Sequence, residues 1–203
     1  MRRLRAATLQ SLSRLLTAAR AVVLVGAVAG CAPAALERAP SEATLPPVLQ
    51  TFEAAGRLSA RHGAQGLAAN FQWRHTGERD ELELVSPTGQ TVAILSGDGA
   101  SVRLQAADGR VLTAGSWAAL TEQGLGWPLP VDGLKYWMQG TARAGTSHTA
   151  EAGDDGRAKV LRQDGWTIVY QAYTETAAAG WRPSNMTLSY PDVELRLAID
   201  RWQ

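Results

Sequence analysis

Alternation with a period of two is the feature that most constrains this chain. From Gly66 to His75, residues Leu67, Ala69, Phe71 and Trp73 fall on one face of an extended segment, while Asn70, Gln72 and Arg74 fall on the other. Successive side chains of a strand point to opposite faces, so the segment predicts a strand with one side buried and one side in water. The rhythm returns in Asp80 to Ser86, where Leu82 and Leu84 alternate with Glu81 and Glu83, and in Thr91 to Leu95, Ser101 to Gln105 and Arg110 to Thr113. Ser86-Pro87-Thr88-Gly89, Gly97-Asp98-Gly99 and Asp108-Gly109 supply turn chemistry between them. Ala158 to Gln163, Trp166 to Tyr173, Asn185 to Tyr190 and Val193 to Trp202 continue the pattern. The last sets Val193, Leu195, Leu197 and Ile199 inward against Glu194, Arg196 and Asp200. Short half-buried strands joined by turns predict an antiparallel sheet or barrel.

Helical signals are fewer. Val48, Leu49, Phe52 and Ala55 share one face of a short amphipathic helix expected over Val48 to Ala55, ahead of a strand through Arg57 to Arg61. Ser116 can cap a helix through Trp117, Leu120 and Gln123 that stops at Gly124. Asp132 can cap another, with Leu134, Trp137 and Met138 on one face and Gly140 at its end. Between the last two, Leu125-Gly126-Trp127-Pro128-Leu129-Pro130 is an apolar connection that proline keeps out of a central strand.

The N-terminus is organised differently. Arg2, Arg3, Arg5, Arg14 and Arg20 lie in the first twenty residues without an acidic partner, and an apolar run from Ala21 to Gly30 follows. That is the layout of a secretory signal, and the run is about half of the roughly 20 residues a membrane-spanning helix needs. It ends Val28-Ala29-Gly30-Cys31, which resembles the bacterial lipobox, so Cys31 is expected to be the lipidated first residue of the mature protein. Cys31 is also the only cysteine, which rules out an internal disulfide. Residues 1–30 are thus read as a lipoprotein signal peptide, 31–47 as the lipidated N-terminus and a flexible Ala-, Pro- and Ser-rich tether, and 48–203 as one domain. Removing the five signal arginines leaves 15 basic residues against 19 acidic ones, a formal charge of −4. No basic surface remains to attract nucleic acid or anionic lipid, so membrane attachment falls to acyl chains.

A search for chemistry finds little. The three histidines are His62, His75 and His148; His62 and His75 adjoin glycine turns and read as solvated loop positions. No nucleophile elbow, zinc-protease or phosphate-loop pattern occurs, so no catalytic residue, metal or cofactor is expected. Asp154-Asp155-Gly156 lacks the spaced carboxylates of a calcium loop and reads as a hairpin turn. What remains is apolar sheet surface, with Trp117, Trp127, Trp137 and Met138 in segments suited to covering it. Those residues read either as an ordinary core or as the lining of an apolar ligand cavity beneath a helical lid.

Taken in order, several segments resemble the LolB family of outer-membrane lipoprotein receptors. They are Gly56-Arg57-Leu58-Ser59, Phe71-Gln72-Trp73-Arg74, Leu84-Val85-Ser86-Pro87-Thr88-Gly89, Gly126-Trp127-Pro128-Leu129-Pro130, Leu134-Lys135-Tyr136-Trp137-Met138-Gln139-Gly140, Gly165-Trp166-Thr167-Ile168-Val169-Tyr170 and Leu195 to Trp202. The resemblance implies a mainly β fold with α, an unclosed antiparallel barrel with a helical lid over an apolar cavity. It implies a non-enzymatic monomer in the outer membrane, facing the periplasm. Such a receptor accepts acylated lipoprotein cargo from the periplasmic carrier LolA, shields the acyl chains and inserts them into the inner leaflet of the outer membrane. Its affinity for acyl chains has to exceed that of the carrier and fall below that of the bilayer. Ala32, directly after Cys31, is permissive for outer-membrane sorting.

The expected cavity and lid positions are Phe71, Trp73, Leu82, Leu84, Trp127, Trp137, Met138, Trp166, Ile168, Met186, Leu188, Leu195 and Leu197. The turn Pro87, Thr88 and Gly89 is expected to face the membrane, although the family commonly places an apolar residue where this chain has Thr88. Alternatives are a lipoprotein of the same fold that binds free lipid or glycolipid, and an envelope scaffold acting through its surface. Cys31→Ala should move the protein from the membrane to the soluble periplasmic fraction and remove the acyl mass, as fractionation and intact-protein mass spectrometry would read. Retention at the membrane would remove Cys31 as the anchor.

Overall fold

In the computed structural model, described here for residues 41–98 and 100–203, eleven strands form a single antiparallel sheet beside two helices. The expected signal peptide, Cys31 and Ala32 lie outside the described residues. In chain order the strands are β1 (Thr51–His62), β2 (Gln65–Thr76), β3 (Arg79–Val85), β4 (Thr91–Gly97), β5 (Val102–Ala106) and β6 (Val111–Ala114). Then come α1 (Trp117–Leu125) and α2 (Val131–Trp137), followed by β7 (His148–Ala152), β8 (Ala158–Gln163), β9 (Trp166–Thr176), β10 (Gly180–Tyr190) and β11 (Val193–Trp202).

Strand order in space is β6-β5-β4-β3-β2-β1-β11-β10-β9-β8-β7. Two meanders therefore join through β1 and β11, and the sheet ends in β6 on one side and β7 on the other. The barrel is unclosed, and α1 and α2 are the connection between its two edges. An antiparallel sheet with one apolar face must cover that face, and here the edge-to-edge connection does so. Strand directions place the turns after β1, β3, β5, β8 and β10 at one end of the sheet, which we call the turn-rich end.

The alternation read in the sequence becomes one-sided burial. Along β2, Ala69, Phe71, Trp73 and His75 are buried while their neighbours are exposed. Along β11, Leu195, Leu197 and Ile199 are buried. These join the inward residues of the other strands and the buried faces of both helices in one core cluster.

The structure departs from the expected helix over Val48 to Ala55. Thr51 onward is strand β1, with Phe52 and Ala54 buried and Glu53 exposed. Phe52 packs against Trp73, His75 and Trp202, so neighbours on both flanking strands outweigh a weak local helical period. The expected tether also contains structure at its end. The Ala43 N–H donates to the Ala150 carbonyl (2.9 Å), and the Ala152 N–H donates to the Ser41 carbonyl (2.8 Å). Residues 41–43 thereby occupy the free edge of β7, which would otherwise offer unpaired backbone groups.

Gly56 shows why glycine stands at one position of the β1–β11 seam. Register shifts between Ala55 and Gly56, leaving Asp200 as an extra residue on β11, and a Cβ on Gly56 would lie 2.1 Å from the Ala198 carbonyl oxygen. The backbones can approach this closely only without a side chain. Gly56→Ala should lower the unfolding free energy by about 2 kcal/mol or more, since overpacking against backbone leaves nothing to rotate away. Equilibrium urea unfolding measures this, and an unchanged midpoint would contradict the account.

Candidate functional site

The candidate site is the inner face of the sheet together with the two helices that cover it. Phe71, Trp73, Leu82, Trp127, Trp137, Met138, Trp166, Ile168, Met186, Leu188, Leu195 and Leu197 are all buried in one cluster, and Leu84 packs partly buried against it. The positions expected to line a cavity thus come together. In this state they are packed on one another: Leu120, Met138, Ile168, Met186 and Leu188 are 0 % exposed, so they border no space that a water molecule could enter. A ligand can reach this face only by displacing side chains that now fill it.

α1 forms because Ser116, extended at φ −156°, accepts a hydrogen bond from the Ala119 N–H (3.2 Å), satisfying a donor of the first turn. It runs past the expected stop at Gly124 and ends at Gly126, whose left-handed backbone (φ 84°) returns an N–H to the Glu122 carbonyl. Trp117, Leu120 and Thr121 form its buried face. The Thr121 hydroxyl accepts from the Leu129 N–H (2.7 Å) and so ties the apolar connection back onto α1.

α2 begins differently from the expectation that Asp132 caps it. Pro130 holds the cap position without a side-chain bond, and Asp132 sits inside the first turn. Proline's fixed φ suits a helix start, and an acidic side chain there favours the positive end of the helix dipole. Leu134 and Trp137 are buried as expected, and the Trp137 ring lies over Gly133, where a Cβ would come within 2.4 Å of it.

Polar groups that the sequence reading missed fasten α2. Asp80, 2 % exposed, accepts from Trp73 Nε1 (2.8 Å), lies 2.8 Å from His75 Nδ1 and faces Lys135 Nζ of α2 at 3.6 Å. His75 is therefore a buried partner of a carboxylate, which corrects its reading as a solvated loop residue. His75 and Asp80 are paired across the β2–β3 hairpin, a relation invisible until the register is known. His62 is half-buried, its ring stacked on Trp127 at 5.6 Å. Trp137 Nε1 donates to Gln163 Oε1 (2.9 Å), and the Tyr170 hydroxyl donates to the Trp137 carbonyl (2.9 Å). Burial pushes the Tyr170 hydroxyl well above its ordinary pKa, keeping it a neutral donor.

Arg182, 1 % exposed, donates to the Gln139 carbonyl (3.1 Å) and the Pro47 carbonyl (3.3 Å), while Gln139 Oε1 accepts from the Leu49 N–H (2.7 Å). Burial pulls the Arg182 pKa down from its ordinary value. No chain-local pattern marks these residues. The available signal is the presence of polar side chains in otherwise apolar or strand-like positions.

The turn after β3 is exposed at Pro87, Thr88 and Gly89. It is held by the Gly89 N–H donating to the Ser86 carbonyl (2.9 Å) and by a 2.8 Å contact between the Ser86 and Thr88 hydroxyls. Gly89 has φ 89°, which requires glycine in practice. Exposed Val92 and Val111 stand just beyond this turn and the next turn at the same end. Among the described residues there is no group of three or more His, Cys, Asp or Glu side chains placed to hold a metal, and no helix long and apolar enough to cross a membrane.

Comparison with known proteins agrees with this architecture. A family model described as "Outer membrane lipoprotein LolB" matches residues 50–202. The chain is 36% identical over 156 residues to the "Outer-membrane lipoprotein LolB" of Nitrosomonas europaea, covering 76% of this chain and 73% of that one. It is 35% identical over 181 residues to the protein of the same name from Thiobacillus denitrificans, covering 89% and 94%. The chain of Chromobacterium violaceum with that name is also 35% identical, over 176 residues, covering 87% and 93%.

The Asp80 cluster gives a direct test of how α2 is held. Asp80→Ala should cost about 3 kcal/mol of stability, because it leaves the Trp73 donor and the Lys135 charge without their buried partner. Asp80→Asn, which keeps an acceptor oxygen, should cost less than about 2 kcal/mol. Chemical denaturation of the three proteins decides it, and equal losses for Ala and Asn would show that the acceptor is immaterial.

Proposed function

The chain belongs to the LolB family of outer-membrane lipoproteins, and on that premise we propose how it handles the lipidated proteins this family localises. It is a lipid-anchored receptor of the outer membrane that acts in lipoprotein localisation. Cargo arrives from a soluble periplasmic carrier, LolA. Its acyl chains move onto the inner face of the sheet beneath α1 and α2, then pass into the inner leaflet of the outer membrane. Phe71, Trp73, Leu82, Ile168, Met186, Leu188, Leu195 and Leu197 form the surface they meet. Trp127, Trp137 and Met138 belong to the cover, with Leu84 and Trp166 at its margins.

The observation that carries this reading is a continuous apolar face closed by a separate two-helix connection. Sheet strands are held to one another by backbone ladders, while the connection is held to the sheet by apolar packing and by hydrogen bonds in which at least one partner is a side chain. Acyl methylenes replacing the side chains of the cover gain about 0.8 kcal/mol each on burial. The cycle binds and releases; no bond is made or broken and no residue acts as a catalyst.

Release requires the domain to present its cargo to the bilayer. The Pro87, Thr88 and Gly89 turn is exposed at the turn-rich end, and Val92 and Val111 add apolar surface beside it. Here that surface takes the part of the apolar residue that the family commonly carries in the turn.

The test is transfer in solution. The unlipidated Cys31→Ala mature chain is mixed with an acylated lipoprotein loaded on its carrier, and cargo should change hands on a sizing column. In a second stage with anionic phospholipid vesicles, Thr88→Glu should slow cargo insertion roughly fivefold, since one charge near such a surface is worth about 1 kcal/mol. Thr88→Leu should speed it. No transfer in the first stage overturns the receptor reading; equal insertion by wild type and both variants overturns the role of the turn.

A further inference from the structure

The cover is fastened unevenly. α2 is tied to the sheet by Lys135 on Asp80, by the Trp137 indole on Gln163 and by Tyr170 on the Trp137 carbonyl. For α1, the side-chain hydrogen bonds among the described residues run only within the segment 116–129. Its hold on the sheet is the burial of Trp117 and Leu120. Apolar contact is non-directional, so α1 can leave the sheet without orphaning a buried polar group. The Thr121 to Leu129 bond makes the apolar connection travel with it.

Beside that connection lies a cleft of about 390 Å³ at the turn-rich end. Trp127, Leu129 and Pro130 form one wall, and Trp166, Tyr190 and Val193 form the other. Trp166 stacks on Tyr190 at 5.2 Å, while the Trp127 ring lies against His62 across the mouth. Trp127 and Trp166 are themselves members of the buried core, so two of the rings that line the cleft also pack against the inner face. The lining of the cleft is mainly aromatic and aliphatic, with Asp164 and Asp192 also bordering it, and the cleft lies at the end of the sheet that also carries the Pro87, Thr88 and Gly89 turn.

We propose that the acyl chains of cargo enter and leave through this cleft, with α1 and the Leu125 to Pro130 connection swinging out as one gate while α2 stays fixed to the sheet. The inference rests on the receptor reading and specifies the route within it. A saturated chain fits between the two apolar walls, with the exposed carboxylates of Asp164 and Asp192 left on the water side. Residues that gate the route need not carry the bulk of the binding. Trp127 acts as the leaf of the gate, and His62 as the face on which it closes.

The experiment uses a dipalmitoylated cysteinyl peptide with a diazirine at the end of one acyl chain and the full mature chain carrying Cys31→Ala. Photolysis during uptake, followed by peptide mapping, should label Trp127, Leu129, Tyr190 or Val193 at early times and core positions such as Met186 later. Leu129→Arg, a charge set in the path, should slow uptake roughly tenfold or more while thermal unfolding stays close to wild type. Its half-buried position makes that substitution compatible with folding. Core labelling without cleft labelling, or early labels at the opposite end near Asp98 or Glu78, would overturn the route and leave the receptor reading standing. Absence of any label in the interior would overturn both, and unchanged uptake by Leu129→Arg would overturn the route alone.

Discussion

An eleven-stranded sheet that does not close on itself has one apolar face and two edges, and the rest of this molecule follows from that constraint. The segment joining β6 to β7 covers the face and has to cross the opening between them, with Ala43, Leu45 and Leu49 ahead of β1 also packing on the core. It does so as two short helices rather than one long one. Gly126 and the prolines at 128 and 130 break the helix where the chain must turn. Coverage by a separate segment allows the face to be exposed without unzipping a strand. A closed barrel of the same strands would have no such freedom.

The two helices divide the work of staying and leaving. Buried polar pairs are directional and costly to break, so α2, held by Asp80, Gln163 and Tyr170, behaves as part of the sheet. Asp80 also keeps the Trp73 indole and His75 on its own strands, so its carboxylate remains partly satisfied however Lys135 moves. Arg182 secures the chain after α2 by bonding backbone on either side of it, at Gln139 and Pro47. α1 has no comparable tie among the described residues. Its stability is area, and area can be exchanged for another apolar partner.

How much of this was legible in the sequence depends on the kind of interaction. β8 and β11 match their expected bounds, and β2 nearly so, because one-sided burial writes a period of two into the residues. β7 was missed since only Ala150 of its five residues is buried, which leaves no alternation to read. The first half of β10 lies outside the expected Asn185 to Tyr190 strand; it carries Pro183, which the structure admits at an irregularity in the β9–β10 register. Phe52 misled as a helical residue because Val48 and Leu49 happened to precede it at helical spacing. Within the site, the expected apolar positions all join the core cluster or pack against it, whereas Phe52, Leu95, Val102, Leu104, Leu161 and Tyr170 of the same cluster were not among them. The polar ties were not legible, because the pairing of His75 with Asp80, or of Trp137 with Gln163, exists only once strands and helix are set in register.

A filled interior bears on how a receptor of acyl chains can also let them go. At about 0.8 kcal/mol per methylene, a preformed empty cavity would hold a long acyl chain about as well as the bilayer does, leaving little drive for release. Here the face is already occupied by its own cover, so binding by the proposed route first exposes Trp117 and Leu120 and reopens contacts that border no free space. Apparent affinity falls by the fraction of molecules in which the cover is open, which lowers it without changing the face itself. The bilayer demands no such opening and can therefore win.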